Sequence, residues 1–328
     1  MQKIRFYKVI RCLTLLAILT LLAGACGIEH IRILRDAQDD FSVSARVENT
    51  ATIKVLFPDA EYLSELAESW LANENAGSFC ETSSIFMTER HQYLFHSYRD
   101  IYLRLHALEK NAGARLKADG LYGTAEALRI FARWRATFYA HALRVGNTTV
   151  TAPEDIPTLT EIGVEAQNLL KKFPEQLYPR DRFFLEAMPA LVRYDIAVLR
   201  VAQDCKLNRL EKTSEGKKRG KEIIEQITTA EEDLYKISGQ QYRHLEKYKL
   251  LARYTMLRSA RSLADHVGFK MNDEKTRDEL PILAQSINRF LGEVEDSVLL
   301  KDLLDESKVK PSTIKSLLPP IGPPGTNP

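Results

Sequence analysis

The chain is poor in the residues that break helices or cross-link chains. Its 328 residues include 15 glycines, 13 prolines and four cysteines. So little glycine and proline disfavours a turn-dense all-β protein and leaves room for long helices. An excess of one charge is also missing. Lys and Arg number 46 against 44 Asp and Glu, a net of +2, which argues against a dedicated nucleic-acid binder. No apolar run reaches the roughly 20 residues that a membrane-spanning helix needs. Alternating strand patterns are lacking as well. Residues 51–57 (ATIKVLF) form the only β-like run, and one strand makes no sheet.

The usual motifs of chemistry are absent too. Gly216-Lys217-Lys218-Arg219-Gly220-Lys221-Glu222 has three residues between its glycines where a phosphate loop needs four. It also has Glu222 where a hydroxyl should bind magnesium. As a basic cluster it reads as a solvated helix start. No G-x-S-x-G elbow, Cys/His nucleophile signature or CxxC pair occurs. His91 and His96 would lie about 140° apart around a helix. His96 and Asp100 could share a face, but two ligands make a weak metal site. The adjacent acids Glu231-Glu232 and Asp39-Asp40 point to different helix faces, which helix-surface solvation explains. These readings lead us to expect no catalytic residues, no metal, no cofactor and no enzymatic activity.

What is present is helical periodicity. Hydrophobic residues at 45% and charged residues at 27% are ordinary globular values, and the length suits one large or two medium domains. Residues 31–50 place Leu34, Ala37, Phe41 and Ala45 on one helix face. Asp59 can cap a helix carrying Leu63, Leu66, Ala67 and Trp70. A long helix follows with Met87, Leu94, Tyr98, Ile101, Leu105 and Leu108, which Ala112-Gly113 and Asp119-Gly120 can interrupt. Another runs from about Thr124 through Leu128, Ala132, Tyr139 and Leu143. Residues 146–157 read as a loop, and the capping box Thr158-x-x-Glu161 starts the next helix.

The stripe Phe184, Met188, Leu191, Val198, Ala202 and Cys205 contains Pro189, which should kink that helix or split it in two. Ile223 to Ile237 forms a helix ended by Gly239. Leu245 to Val267 forms one closed by Gly268, and Leu280 to Val298 gives the last. Roughly eight to eleven helices with short loops and no βαβ pattern define an all-α fold, either an α-solenoid of helical hairpins or an irregular bundle. The aromatic concentrations at 86–102 and 131–139 read as core packing, with a ligand groove between the two helices as the alternative.

Two stretches resemble known families. Lys3, Arg5, Lys8 and Arg11 precede an apolar run, then small residues, the layout of a secretory signal peptide. Leu22-Ala23-Gly24-Ala25-Cys26 resembles the lipobox of bacterial lipoproteins, with Ala23 where that family prefers a bulky aliphatic. The resemblance implies removal of residues 1–25 and acylation of Cys26 on its thiol and new amino group. Gly27, in place of Asp, points to the periplasmic face of an outer membrane if the organism is Gram-negative. Processing would remove four basic residues and no acid, turning 46 against 44 into 42 against 44, a net of −2.

With Cys12 lost and Cys26 acylated, Cys80 and Cys205 remain. Cys205 ends an apolar stripe, which favours two buried free thiols over a Cys80–Cys205 bridge. Leu128, Ala132, Ala136, Tyr139 and Ala142 resemble a tetratricopeptide repeat, with Ala136 at the family's Gly and Arg135 at its Leu. The expected organisation is a signal peptide over 1–25, an anchored helical domain over 26–310, and a disordered tail over 311–328, which holds six of the prolines. The expected role is a cell-envelope scaffold or protein-interaction module. It would be held to the membrane through Cys26 and engage an envelope protein but no nucleic acid. The alternative is a small-ligand-binding accessory lipoprotein of a transport system.

Overall fold

The computed structural model describes residues 29–45, 89–147, 155–237, 243–271 and 273–296. The signal peptide, Cys26, the 51–57 run, the helix expected after Asp59, Met87, Cys80, Gly239, Val298 and the 311–328 tail lie outside them. Among the described residues the chain is all-α, with nine α-helices and no strand. They are α1 (29–45), α2 (Glu89–Ala118), α3 (Tyr122–Asn147), α4 (Asp155–Lys172), α5 (Pro179–Lys206), α6 (Ser214–Lys236), α7 (Arg243–His266), α8 (Glu274–Glu279) and α9 (Pro281–Asp296).

Local chemistry sets most of the helix ends. α2, α5 and α7 stop at Gly120 (φ 69°), Asn208 (φ 52°) and Gly268 (φ 91°). Beyond each, the next N–H returns five residues to a helix carbonyl: Leu121 to Leu116, Arg209 to Asp204 and Phe269 to Ala264, all at 2.8 Å. Left-handed residues at these positions satisfy carbonyls that the helix leaves open. The Thr213 hydroxyl caps α6 by accepting from Gly216 N–H at 3.1 Å, and Asp273 caps α8 through Lys275 N–H at 3.2 Å.

Four expected boundaries are corrected. Gly113 does not interrupt α2, which runs unbroken for 30 residues to Ala118. α4 starts at Asp155, not at Thr158, because Pro157 falls in the first turn, where its missing N–H costs nothing. Leu280 lies between α8 and α9, and Pro281 opens the last helix. Pro189 does not split α5, which continues through it. A proline cannot bond the carbonyl four residues earlier, and here that carbonyl, Leu185 O, accepts instead from Gln167 Nε2 of α4 at 3.0 Å. Gly163 of the same helix faces Pro189, with room for a Cβ 3.6 Å from its Cα.

The helices pack largely in chain order. α1 lies antiparallel on α2, pinned by His30 to Asp119 (2.5 Å) at one end and Ser44 to Ser97 (2.5 Å) at the other. α2 packs on α3, α3 on α4 and α5, α4 on α5, α5 on α6, α6 on α7, and α9 returns onto α6 and α7. The periodic stripes form one continuous core. Tyr98, Ile101, Leu159, Ile162, Ile224, Leu257 and Phe290 are all fully buried. Tyr98 stacks on Tyr139 at 6.2 Å and meets Phe41 at 5.4 Å, while Phe131 reaches Phe184 (6.1 Å) and Phe184 reaches Tyr248 (4.9 Å). The aromatics of 131–139 therefore bind neighbouring helices into the core. Leu128, Ala132, Ala136, Tyr139 and Ala142 are buried on the single helix α3. A tetratricopeptide unit fits two helices and a turn into about 34 residues, whereas α2 alone has 30.

Candidate functional site

The polar chemistry of the described residues lies in the seams between helices. The deepest cluster joins α6, α7 and α9. Glu231 is fully buried (0% exposed) and accepts from Arg253 Nε at 2.6 Å and Arg289 Nη2 at 2.9 Å. Arg253, itself 1% exposed, also donates to Glu293. Both guanidiniums lie over the Tyr235 ring, at 4.6 and 4.1 Å, and Arg253 also lies over Phe290 at 5.4 Å. Aromatic faces and carboxylates together replace the water that these cations give up. The two adjacent acids do not point to separate surroundings, since both reach Arg289, and solvation does not explain Glu231. It is the centre of a buried knot, while Glu232 sits at the rim, 3.9 Å from Arg289.

A second cluster runs along α3 and α4. Arg129 joins Glu126 of its own helix (2.8 Å) to Glu165, and Arg133 joins Glu165 (2.8 Å) to Glu161 (3.5 Å). Burial alone would favour the neutral form of Arg129. Its bonds to Glu126 and Glu165 outweigh that and hold it protonated. At the head of this row, burial first, then Glu126 and Glu109, push the Tyr122 hydroxyl up to about 12. It stays a proton donor, bonded to Glu109 at 3.2 Å. Between α3 and α5, buried Asp195 accepts from Trp134 Nε1 (2.8 Å) and Arg135 Nη1 (3.0 Å), and Arg135 lies 4.5 Å from the Phe138 ring centre. Asp181 stands apart. Its Oδ1 accepts from Arg180 at 3.1 Å, while Oδ2 is buried with no hydrogen-bond partner among the described residues. Burial raises its carboxyl above the ordinary range, and Arg180 offsets that only in part.

These clusters fix helices against one another. A guanidinium held between carboxylates keeps its proton at neutral pH and offers no acid–base step. Cys26 lies outside the described residues. His96 is exposed beside Phe95 (5.1 Å), and Asp100 is engaged by Arg104 at 3.0 Å. No group of three or more His, Cys, Asp and Glu that could hold a metal occurs among the described residues. No described helix is long and apolar enough to cross a membrane. The basic run at 216–222 begins α6, as expected. Its glycines serve packing, since a Cβ on Gly216 would fall 2.1 Å from Glu211 O and one on Gly220 would fall 2.8 Å from Val267.

Cys205 corrects the preference for free thiols, because it is disulfide-bonded. It is also buried, so its place on an apolar stripe was compatible with a bond as much as with a thiol. Sequence reasoning missed the buried ion clusters. Their only local sign is Arg spacing on otherwise apolar stripes, such as Arg253 between Ala252 and Met256. No family model, curated protein or solved structure matches the chain.

Proposed function

We propose that this chain is a cell-envelope lipoprotein, anchored by acyl chains on Cys26, whose helical body is a non-enzymatic scaffold for an envelope partner protein. The observation that carries the reading is the run Leu22-Ala23-Gly24-Ala25-Cys26 at the end of a basic–apolar leader, followed at residue 29 by helix. The disulfide at Cys205 supports it, since such bonds persist in oxidising compartments outside the cytosol. Helices stacked in chain order also present long faces suited to protein recognition. In this reading residues 1–25 are removed, 26–310 form the anchored domain and 311–328 form a disordered tail. The anchored domain takes the periplasmic face of an outer membrane where the cell has one.

Metabolic acyl labelling and membrane fractionation of wild type and Cys26→Ser test the anchor. Label and membrane retention are expected in the wild type only, and equal results in both proteins reject it. Crosslinking of the anchored protein in cells should then yield a stoichiometric envelope partner. Repeated capture without one rejects the scaffold role.

A further inference from the structure

We propose that the end of the array formed by residues 29–36 of α1, the α2–α3 turn and the α4–α5 turn is a lipid-facing surface that rests on anionic headgroups. The proposal builds on acylation of Cys26. Glu29, the first described residue of α1, lies three residues past Cys26 in sequence. A chain advances at most about 3.6 Å per residue, so Glu29 stays within about 11 Å of the acylated residue. That reach brings this end near the bilayer and leaves its contact with the headgroups to the charges on the surface. The anchor therefore dictates which end of the array meets the membrane.

The contacts show which elements share that end. His30 of α1 reaches Asp119 at 2.5 Å. The Lys117 ammonium lies 4.6 Å over Tyr122, and Tyr122 is 5.0 Å from Phe173. Gly123 N–H donates to Gln176 at 3.1 Å, and Arg182 donates to Pro174 O at 2.7 Å. α2 and α4 end here and α3 and α5 begin here, beside residues 29–36 of α1.

This surface exposes Arg32, Arg35, Arg115, Lys117, Lys171 and Lys172. Four exposed acids lie among them, Glu29, Asp36, Glu175 and Asp119, the last engaged by His30. Cations in the last turns of α2 and α4 also suit the negative end of a helix dipole. Arg32 and Arg35 do not share that explanation, because α1 continues from them to residue 45 and they are far from its C-terminal end. Anionic headgroups within a Debye length would attract all six. Tyr178, 57% exposed, and Ile31, 43% exposed, add the aromatic and aliphatic groups that settle at a membrane interface.

The test uses the full-length acylated protein in vesicles of phosphatidylcholine alone or mixed with phosphatidylglycerol, with amine-reactive footprinting read by mass spectrometry. On the mixed vesicles Lys117, Lys171 and Lys172 should lose reactivity severalfold relative to detergent. Lys218, exposed at the opposite end where α6 starts, should keep its reactivity. The combined variant Arg32→Glu, Arg35→Glu and Lys171→Glu should restore Lys117 and Lys172 reactivity while remaining acylated. Equal reactivity of Lys171 and Lys218 on mixed vesicles overturns the proposal, as does protection that survives the charge reversal. If Cys26 is acylated and these lysines stay reactive, only the surface fails. If Cys26 carries no acyl group, the anchor fails and takes the surface with it.

Discussion

Across the α3–α4 seam, Arg133 meets Glu165 with about a quarter of each side chain open to water, 26% and 28%. Across the α6–α7 seam, Arg253 meets Glu231 with 1% and 0% open. The chemistry is the same, a guanidinium donating to a carboxylate across two helices. At the first seam water still solvates both ions, so the pair adds little and its loss costs little. At the second seam both ions have been stripped of water and each depends on the other. Such a pair adds little net stability over apolar packing, yet breaking it is severe. Burial, more than the number of ion pairs, decides what each seam contributes.

The sharpest way to break this comparison is Arg253→Leu. It should cost about 3–5 kcal/mol in urea unfolding, because Glu231 keeps only Arg289 in a dry interior. A loss below about 1 kcal/mol would mean that water reaches Glu231 and that the two seams are alike.

Next in size is the uncharged pin between α4 and α5. Gln167→Leu leaves Leu185 O buried and unpaired beside Pro189 and should cost about 1–3 kcal/mol. Adding Pro189→Ala supplies a backbone N–H to the same carbonyl and should recover much of that loss. An additive double mutant would show that Gln167 does not substitute for the missing helix bond.

Asp181 extends the comparison to a buried acid that, among the described residues, has only Arg180 as a charged partner. Its carboxyl is raised by burial, so the folded state holds this proton more tightly than the unfolded state. Its contribution to stability is therefore present below the unfolded value near 3.8 and is lost as pH rises through the folded value. Asp181→Asn should stabilise the protein at neutral pH, with the gain shrinking as pH falls toward 3.8 in unfolding measured against pH. A gain that does not change with pH would contradict this origin. Smallest of all, Arg133→Leu should change stability by about 1 kcal/mol or less and lose even that at high salt.

The core was legible in the sequence because one variable carries it. Spacings of three and four placed Leu34, Ala37, Phe41, Leu94, Tyr98, Leu159, Ile223 and Leu263 on buried faces, and all are buried. The Gly268 stop was equally local, since only a residue at ease with positive φ closes that turn. The proline misled for a reason outside its own helix. Sequence shows that Pro189 removes a hydrogen bond but not that Gln167, 22 residues earlier, supplies a replacement donor. Glu231 misled in the same way. Beside Glu232 on a polar stretch it resembles solvated surface, and its guanidinium partners lie 22 and 58 residues further on. The lipobox-like run Leu22-Ala23-Gly24-Ala25-Cys26 is a linear motif, readable by position alone, and it needs no fold to be found.

By itself, then, the sequence determined the helical class, the apolar face of each helix and the residues from which the membrane reading starts. These depend on the period of the backbone and on covalent order, which are local. Tertiary structure alone decided that α5 continues through Pro189, that Cys205 is bonded and that Glu231 is buried between two arginines. It also decided which helix ends gather beside residues 29–36 of α1. Each of these rests on a partner distant in the chain, and only folding brings such partners within hydrogen-bonding reach.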